Sequence, residues 1–298
     1  MSKFSEEVIS WFKNLQDEIC QGLETEDGKA SFHEDLWERE GGGGGRTRVI
    51  QNGNVIEKGG VNFSAVTGQL PKKIANAIKV KAGNFLATGV SIVIHPNNPH
   101  VPIIHMNVRF FELEDGTYWF GGGIDLTPHY VVKSDAQFFH QQLKNTCDEA
   151  DVNFYPKFKK WADDYFFIKH RNETRGVGGI FFDRLTGNTE AEKQHFWAFV
   201  QNVGKTFLPT YLQLIKNNKN KTFTEHEQLW QKVRRGRYVE FNLVYDKGTK
   251  FGLDTAGRIE SILMSLPPQV EWHYDFKVEE GSPEQITQTL LTKEINWA

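Results

Sequence analysis

The chain has 298 residues, 39% of them hydrophobic, which is enough for a sizeable core, and its 38 acidic and 35 basic residues nearly cancel. That balance argues against a dedicated nucleic-acid binder and leaves anion recognition to local clusters. Two cysteines, Cys20 and Cys147, are too few for a disulfide framework or a cysteine-rich zinc or iron–sulfur site.

The opening "MSKFSEEVISWFKNLQDEI" is acidic and amphipathic. It resembles neither a secretory signal nor an arginine-rich transit peptide, and no apolar run approaches a membrane span, so the expectation is a cytoplasmic protein. Val8, Ile9, Trp11, Phe12, Leu15 and Ile19 recur at helical spacing. Residues 1–31 therefore read as an amphipathic helix and lead-in. With no linker-like stretch in the middle, residues 1–298 read as a single domain.

Next comes "WEREGGGGGRTRV", five consecutive glycines running into Arg46-Thr47-Arg48. The pattern lacks the Gly-Lys-Ser/Thr ending of a phosphate-binding loop. Two readings stand, a flexible surface linker or a backbone left bare so that protein or ligand can approach closely. Asn52-Gly53 between two β-rich runs predicts a type I′ hairpin. Further strands are expected at Thr88 to Ile94, Ile104 to Glu112, Tyr118 to Ile124 and Tyr238 to Tyr245. Capping boxes at Ser134…Gln137, Thr189…Glu192, Thr224…Glu227 and Ser282…Gln285 open helices, the last with Pro283 at its first position. Hairpin connections predominate, so the fold class is α/β of the α+β type, a large and mainly antiparallel sheet flanked by helices on both faces.

Strand alternation in "IIHMNVRFFE" puts Ile104, Met106, Val108 and Phe110 on one face and His105, Asn107 and Arg109 on the other. A half-exposed strand alternates in the same way, but surface strands favour Thr, Lys or Glu over a proton carrier, an amide and a fixed cation in a row. His95, His105, His140 and His170 can be assembled as a candidate metal set, without diagnostic spacing, and His140 also fits a satisfied core histidine. A segment around Arg234, Arg235, Arg237, Asp246, Lys247 and Arg258, and another with Arg171 and Arg175, pair arginines with glycine-rich backbone. The turns Lys247-Gly248 and Ala256-Gly257 are expected to set Asp246 and Arg258 at strand ends. The composition fits a flat ligand bearing several carboxylates or phosphates, because Arg grips such groups at two points.

Six strings, "WEREGGGGGRTRV", "EKGGVNFS", "IHPNNPHVPIIHMNVRFF", "YWFGGGIDLTPHY", "YPKFKKWADDYFFIKHRNETRGVGGIFFD" and "RRGRYVEFNLVYDKGTKFGL", resemble the oxygen-dependent coproporphyrinogen III oxidase family. The resemblance runs from about Phe32 to Tyr274. It implies a homodimer, with the 238–274 region at its interface, that uses dioxygen as co-substrate and no organic cofactor. The reaction implied converts two propionates of coproporphyrinogen III to vinyl groups, giving protoporphyrinogen IX and carbon dioxide. By the same resemblance His105 matches the family's proton donor, and Asp246 an acid acting on the pyrrole N–H. Ser91, Asn107, Val108 and Arg109, with Ala256, Gly257 and Arg258, match substrate-binding positions, and Asp125 is a further polar candidate. His95, His105, His140 and His170 match positions suggested to bind a divalent metal. Lys247 stands where some members carry Arg, which keeps the charge and loses the fork. The alternative from another class is a non-catalytic tetrapyrrole or organic-anion binding protein. A metal-dependent oxygenase using the histidines is the other reading.

Overall fold

A computed structural model describes residues 2–254 and 257–298. The chain opens with α1 (Lys3–Asp27), whose N-terminus is capped by the Ser2 hydroxyl accepting from Ser5 N and whose end turns on Gly28 at φ 70°. Strands β1 (His33–Glu38), β2 (Gly43–Gln51), β3 (Ile56–Gln69), β4 (Asn84–Pro96), β5 (Ile103–Leu113) and β6 (Tyr118–Thr127) follow as an antiparallel meander, with α2 (Lys72–Ile78) between β3 and β4. Helices α3 (Lys133–Asp148) and α4 (Phe154–Tyr165) and the short hairpin β7 (Phe167–Ile168) and β8 (Glu173–Thr174) lead to β9 (Gly178–Leu185). Strand β9 pairs antiparallel with β6 and completes a seven-stranded sheet in the order β1-β2-β3-β4-β5-β6-β9. Helices α5 (Glu190–Asn218), α6 (Glu225–Val244), α7 (Lys247–Asp254), α8 (Ile259–Leu263) and α9 (Pro283–Leu290) end the chain.

Alternation along the strands gives the sheet two chemically different faces. Val61, Ile92, Met106, Ile124 and Ile180 stand in register on one of them and are buried in the main core with Phe12 and Leu15 of α1 and Phe207 and Tyr211 of α5. On the other face Val93 and Ile103 meet Tyr238 of α6, so α6 and the short helices after it cover one end of that face.

Several sequence expectations need correction. The stretch from Tyr238 is the last part of α6, which ends at Val244 with Tyr245 as its C-cap, not a strand. The Thr224…Glu227 capping box starts that helix, and its buried residues Trp230, Arg234, Tyr238, Phe241 and Asn242 keep helical spacing. Buried Arg and Asn within this stripe disguised the period. Lys247 and Gly248 accordingly lie in the first turn of α7, so Asp246 precedes a helix, not a strand end, and Arg258 is the residue before α8. Helix α3 starts at Lys133 after Val132 without a side-chain cap, so no box forms at Ser134.

The β2–β3 hairpin is present, but its turn is not of the two-residue type. Asn52 alone takes positive φ, at 58°, and the loop runs to Ile56. Its main-chain N–H groups at Asn54, Val55 and Ile56 donate to the Asp27 carboxylate, at 2.9 to 3.1 Å. A Cβ at Gly53 would sit 2.1 Å from that carboxylate, which explains the glycine. The five-glycine run is likewise structural. It forms the β1–β2 turn and the start of β2, where a Cβ on Gly43 would come 2.2 Å from Ala65 O and one on Gly45 2.2 Å from the Trp37 ring. The surface that approaches the bare backbone is the chain itself.

Candidate active site

The face opposite the main core carries three rows in register. Asp35, Thr47, Asn62, Ser91, Asn107, Gly123 and Phe181 cross all seven strands in the first. Gly60, Val93, His105, Asp125 and Gly179 form the second, and Ser64, Gly89, Arg109 and Gly121 the third. The first and third rows set polar side chains beside glycines, whereas in the second Met264 fills the space over Gly60 and Tyr238 covers Val93, so the part of the face left open is a shallow floor along Ser91, Asn107 and Arg109.

His105 and Asp125 are register partners on β5 and β6, and His105 Nδ1 lies 2.8 Å from Asp125 Oδ1. Asp125, 1% exposed, also receives Arg175 Nη2 at 2.7 and 2.8 Å on its two oxygens. Arg175 lies 4.4 Å from the Phe166 ring centre and 4.7 Å from those of Tyr238 and Phe241, and its Nη1 donates to Asn242 Oδ1 at 2.7 Å. Burial disfavours the Asp125 carboxylate, but the Arg175 charge and the His105 hydrogen bond outweigh it and hold the acid below its ordinary range. With a carboxylate accepting at Nδ1, that nitrogen carries the proton, and Nε2 is the ring atom left for other work.

Asp246 joins the same neighbourhood from the far side. Its Oδ1 accepts from Tyr165 Oη at 2.8 Å and its Oδ2 from Thr249 N at 2.7 Å, and its charge acts on Arg175. Tyr165 stacks on Phe181, 4.3 Å between ring centres, which ties Asp246 to the end of the first row. Burial and Asp246 push the Tyr165 hydroxyl up, so it stays a donor to the acid.

Arg109 lies over Gly121, donating from Nη1 to Asn107 Oδ1 at 2.7 Å and from Nη2 to Asp183 Oδ1 at 3.0 Å. Arg258 reaches Asp35 on β1 and donates to Ser261 Oγ at 3.1 Å. Ser261 in turn meets Thr47 Oγ1 at 2.8 Å and latches α8 onto the first row. β1 and β5 are four strand spacings apart, about 19 Å. Two guanidinium groups thus stand at separated points of one floor.

Of the sequence candidates, His105, Asn107, Arg109 and Ser91 are neighbours on this face, and Arg258 borders it. Val108 points into the core with no exposure, so only its main chain adjoins the site. Gly257 donates its N–H to Gly252 O at 2.8 Å, and Ala256 lies outside the described residues. The other arginines singled out in the sequence are committed to internal ion pairs: Arg46 and Arg48 to Asp17 and Glu34, Arg234 to Glu173, Arg235 to Glu57, Arg171 and Arg237 to Glu240. Asp183, Tyr165 and Asp35 were not anticipated. Only the alternation in "GGIFFDRL" next to a glycine pair hinted at Asp183.

The four histidines do not assemble into one donor set within the chain. His95 is buried with Nε2 2.8 Å from Ser265 O, and His140 meets Tyr155 Oη at 3.0 Å and Val177 O at 2.9 Å through its two nitrogens. His170 lies against Tyr245 and Glu240. Among the described residues no three His, Cys, Asp or Glu side chains are grouped to hold a metal ion. The donors present do not fit a shared metal within one chain.

A helix-flanked antiparallel sheet that sets a His–Asp pair, a second acid and two guanidinium groups over glycines has the layout of an acid–base enzyme for a polycarboxylate ligand. The family model described as coproporphyrinogen III oxidase matches residues 7–297, and the chain belongs to that family of oxidative decarboxylases in porphyrin and haem biosynthesis. Among the described residues no helix is long and apolar enough to cross a membrane.

Proposed function

We propose that the chain is the oxygen-dependent coproporphyrinogen III oxidase of a cytoplasmic pathway, acting as one catalytic unit over residues 1–298. Each propionate side chain loses carbon dioxide and two hydrogens to become a vinyl group, and dioxygen takes up the two electrons and two protons as hydrogen peroxide. Performed twice, this yields protoporphyrinogen IX. The single observation that carries the reading is the placement of His105, held by Asp125, on the same glycine-floored face as Arg109.

Arg109 and Arg258 meet propionates at the substrate rim, with Asn107 and Ser91 between them. Asp246 accepts the pyrrole N–H proton as the ring gives up electrons to dioxygen, and His105 passes a proton to the reduced oxygen. An electron-rich pyrrole so activated reacts with dioxygen directly. No step is routed through a metal, given the separation of the four histidines. The other route to this product, a radical reaction on a three-cysteine cluster, finds only Cys20 and Cys147, both buried with thiols pushed up to about 12.

We further propose a homodimer through the 238–274 region, where Leu243, Val244, Phe251, Ile259, Trp272 and Tyr274 are large, apolar and exposed. Incubation of the pure protein with coproporphyrinogen III in air and under strict anaerobiosis tests the reaction. Product is expected only in air. Turnover without oxygen overturns the oxidase reading, and binding without turnover supports a carrier.

A further inference from the structure

Both guanidinium groups on the open face already hold a carboxylate of the chain's own. Arg109 Nη2 is 3.0 Å from Asp183 Oδ1, with side chains 36% and 33% exposed, and Arg258 pairs with Asp35, at 30% and 43%. The buried arginines behave differently: Arg175 and Arg235 are sealed against their acids at 3% and 1% exposure. Gly121 keeps the space around the Arg109 pair clear, since a Cβ there would come 2.5 Å from Asp183 Oδ1 and 2.8 Å from Arg109 Nε.

We propose that Asp183 and Asp35 are exchangeable counter-ions that hold Arg109 and Arg258 in the ligand-free enzyme, yield them to substrate carboxylates, and so set affinity for the polycarboxylate. The proposal rests on the reading above that Arg109 and Arg258 bind propionates. One carboxylate for another on the same guanidinium is a nearly balanced exchange. The displaced aspartate is already part-solvated, so release costs it little. Its charge stays close to the incoming carboxylate and repels it. When a propionate becomes a vinyl group the guanidinium loses its external partner, and the aspartate takes it back. Release or rotation of the ring then leaves no unpaired cation behind.

The sign of one substitution separates this role from scaffolding. Were Asp183 merely holding Arg109 in place, Asp183→Asn would weaken ligand binding, as Arg109→Ala does. A resident competitor predicts the opposite. The test titrates coproporphyrin III, the unreactive oxidised tetracarboxylate, into parent, Asp183→Asn, Asp183→Ser, Asp35→Asn, Arg109→Ala and the Arg109→Ala/Asp183→Asn double variant, following protein fluorescence. Affinity is expected to rise roughly fivefold or more in Asp183→Asn and Asp183→Ser, and likewise in Asp35→Asn. The gain from Asp183→Asn should vanish when Arg109 is absent, and in turnover it should appear as a lower KM with more of the three-carboxylate intermediate retained. Unchanged or weaker binding in the Asp183 variants overturns the counter-ion role while leaving the reaction intact, as does loss of the fold in both. Failure of the parent to bind coproporphyrin III overturns the functional reading along with it.

Discussion

Asp125 sits between a histidine it orients and an arginine that keeps it ionised: His105 Nδ1 at 2.8 Å on one side, Arg175 Nη2 at 2.7 Å on the other. Adjacent-strand register creates the first contact, and the chain returning through β8 toward β9 creates the second. Asp125→Asn keeps the shape but strands a buried guanidinium. The expected outcome is a loss of about 3 to 5 kcal/mol in stability, the scale for breaking one partner of a buried pair, together with a large fall in turnover. Urea unfolding followed by circular dichroism measures the first, and a variant as stable as the parent would remove Arg175 from this role.

Asp246→Asn tests the second acid. No substrate carboxylate is held by an aspartate, so binding should not weaken, while the chemical step slows about a hundredfold or more, the scale of a positioned acid–base group. His105→Ala should lose less, because water can replace a proton donor in part. Single-turnover decay of bound substrate in air measures both. Parent-like rates in Asp246→Asn would leave that residue as the acid that anchors the first turn of α7 and bonds Tyr165.

The buried histidines make stability fall on the acid side. Burial is the main cause that lowers His129 to about 3 and His140 to about 4, and it drives His95 well below its ordinary value. All three are neutral in the fold, whereas the unfolded chain takes up their protons below about pH 6.5. Their contribution is intact above pH 6.5 and is lost as pH falls toward the folded values, at about 2 kcal/mol per histidine by pH 5. Urea midpoints at pH 7 and pH 5 should differ accordingly, and His140→Gln should show a shallower decline. Equal midpoints at the two pH values would contradict this assignment.

Thorough metal removal should leave turnover in place. His140 has both ring nitrogens engaged by Tyr155 and Val177, and the other three histidines lie against different partners. Activity is measured after chelation and again after adding back single divalent metals. Loss on chelation with rescue by one metal would mean that the histidines rearrange or are completed by a second copy.

The polar face of β5 was legible from alternation alone, because His105, Asn107 and Arg109 occupy every second position of a strand whose intervening residues are apolar. The partners of those residues were not. That Asp125 faces His105 depends on the β5–β6 register, and that Arg175 and Asp183 arrive there depends on how β8 and β9 return to the sheet, which no local pattern encodes. Helix α6 was misread at Tyr238 to Tyr245 because its buried stripe contains Arg234, Arg235 and Asn242, held by Glu173, Glu57 and Arg175. Tertiary ion pairs made polar residues core residues there. Of the two readings of the glycine run, close approach to the backbone by protein or ligand is the one that matches the fold, and the approaching groups are the chain's own Trp37 and β3 main chain.

The claim that the glycine-floored face binds the substrate between Arg109 and Arg258 is tested most directly by equilibrium titration of coproporphyrin III into parent, Arg109→Ala and Arg258→Ala proteins of verified fold. Each variant should bind about ten- to a hundredfold more weakly, the loss of one charge-assisted contact of about 1.5 to 3 kcal/mol. Affinity equal to the parent in both variants would place the substrate elsewhere and contradict the account.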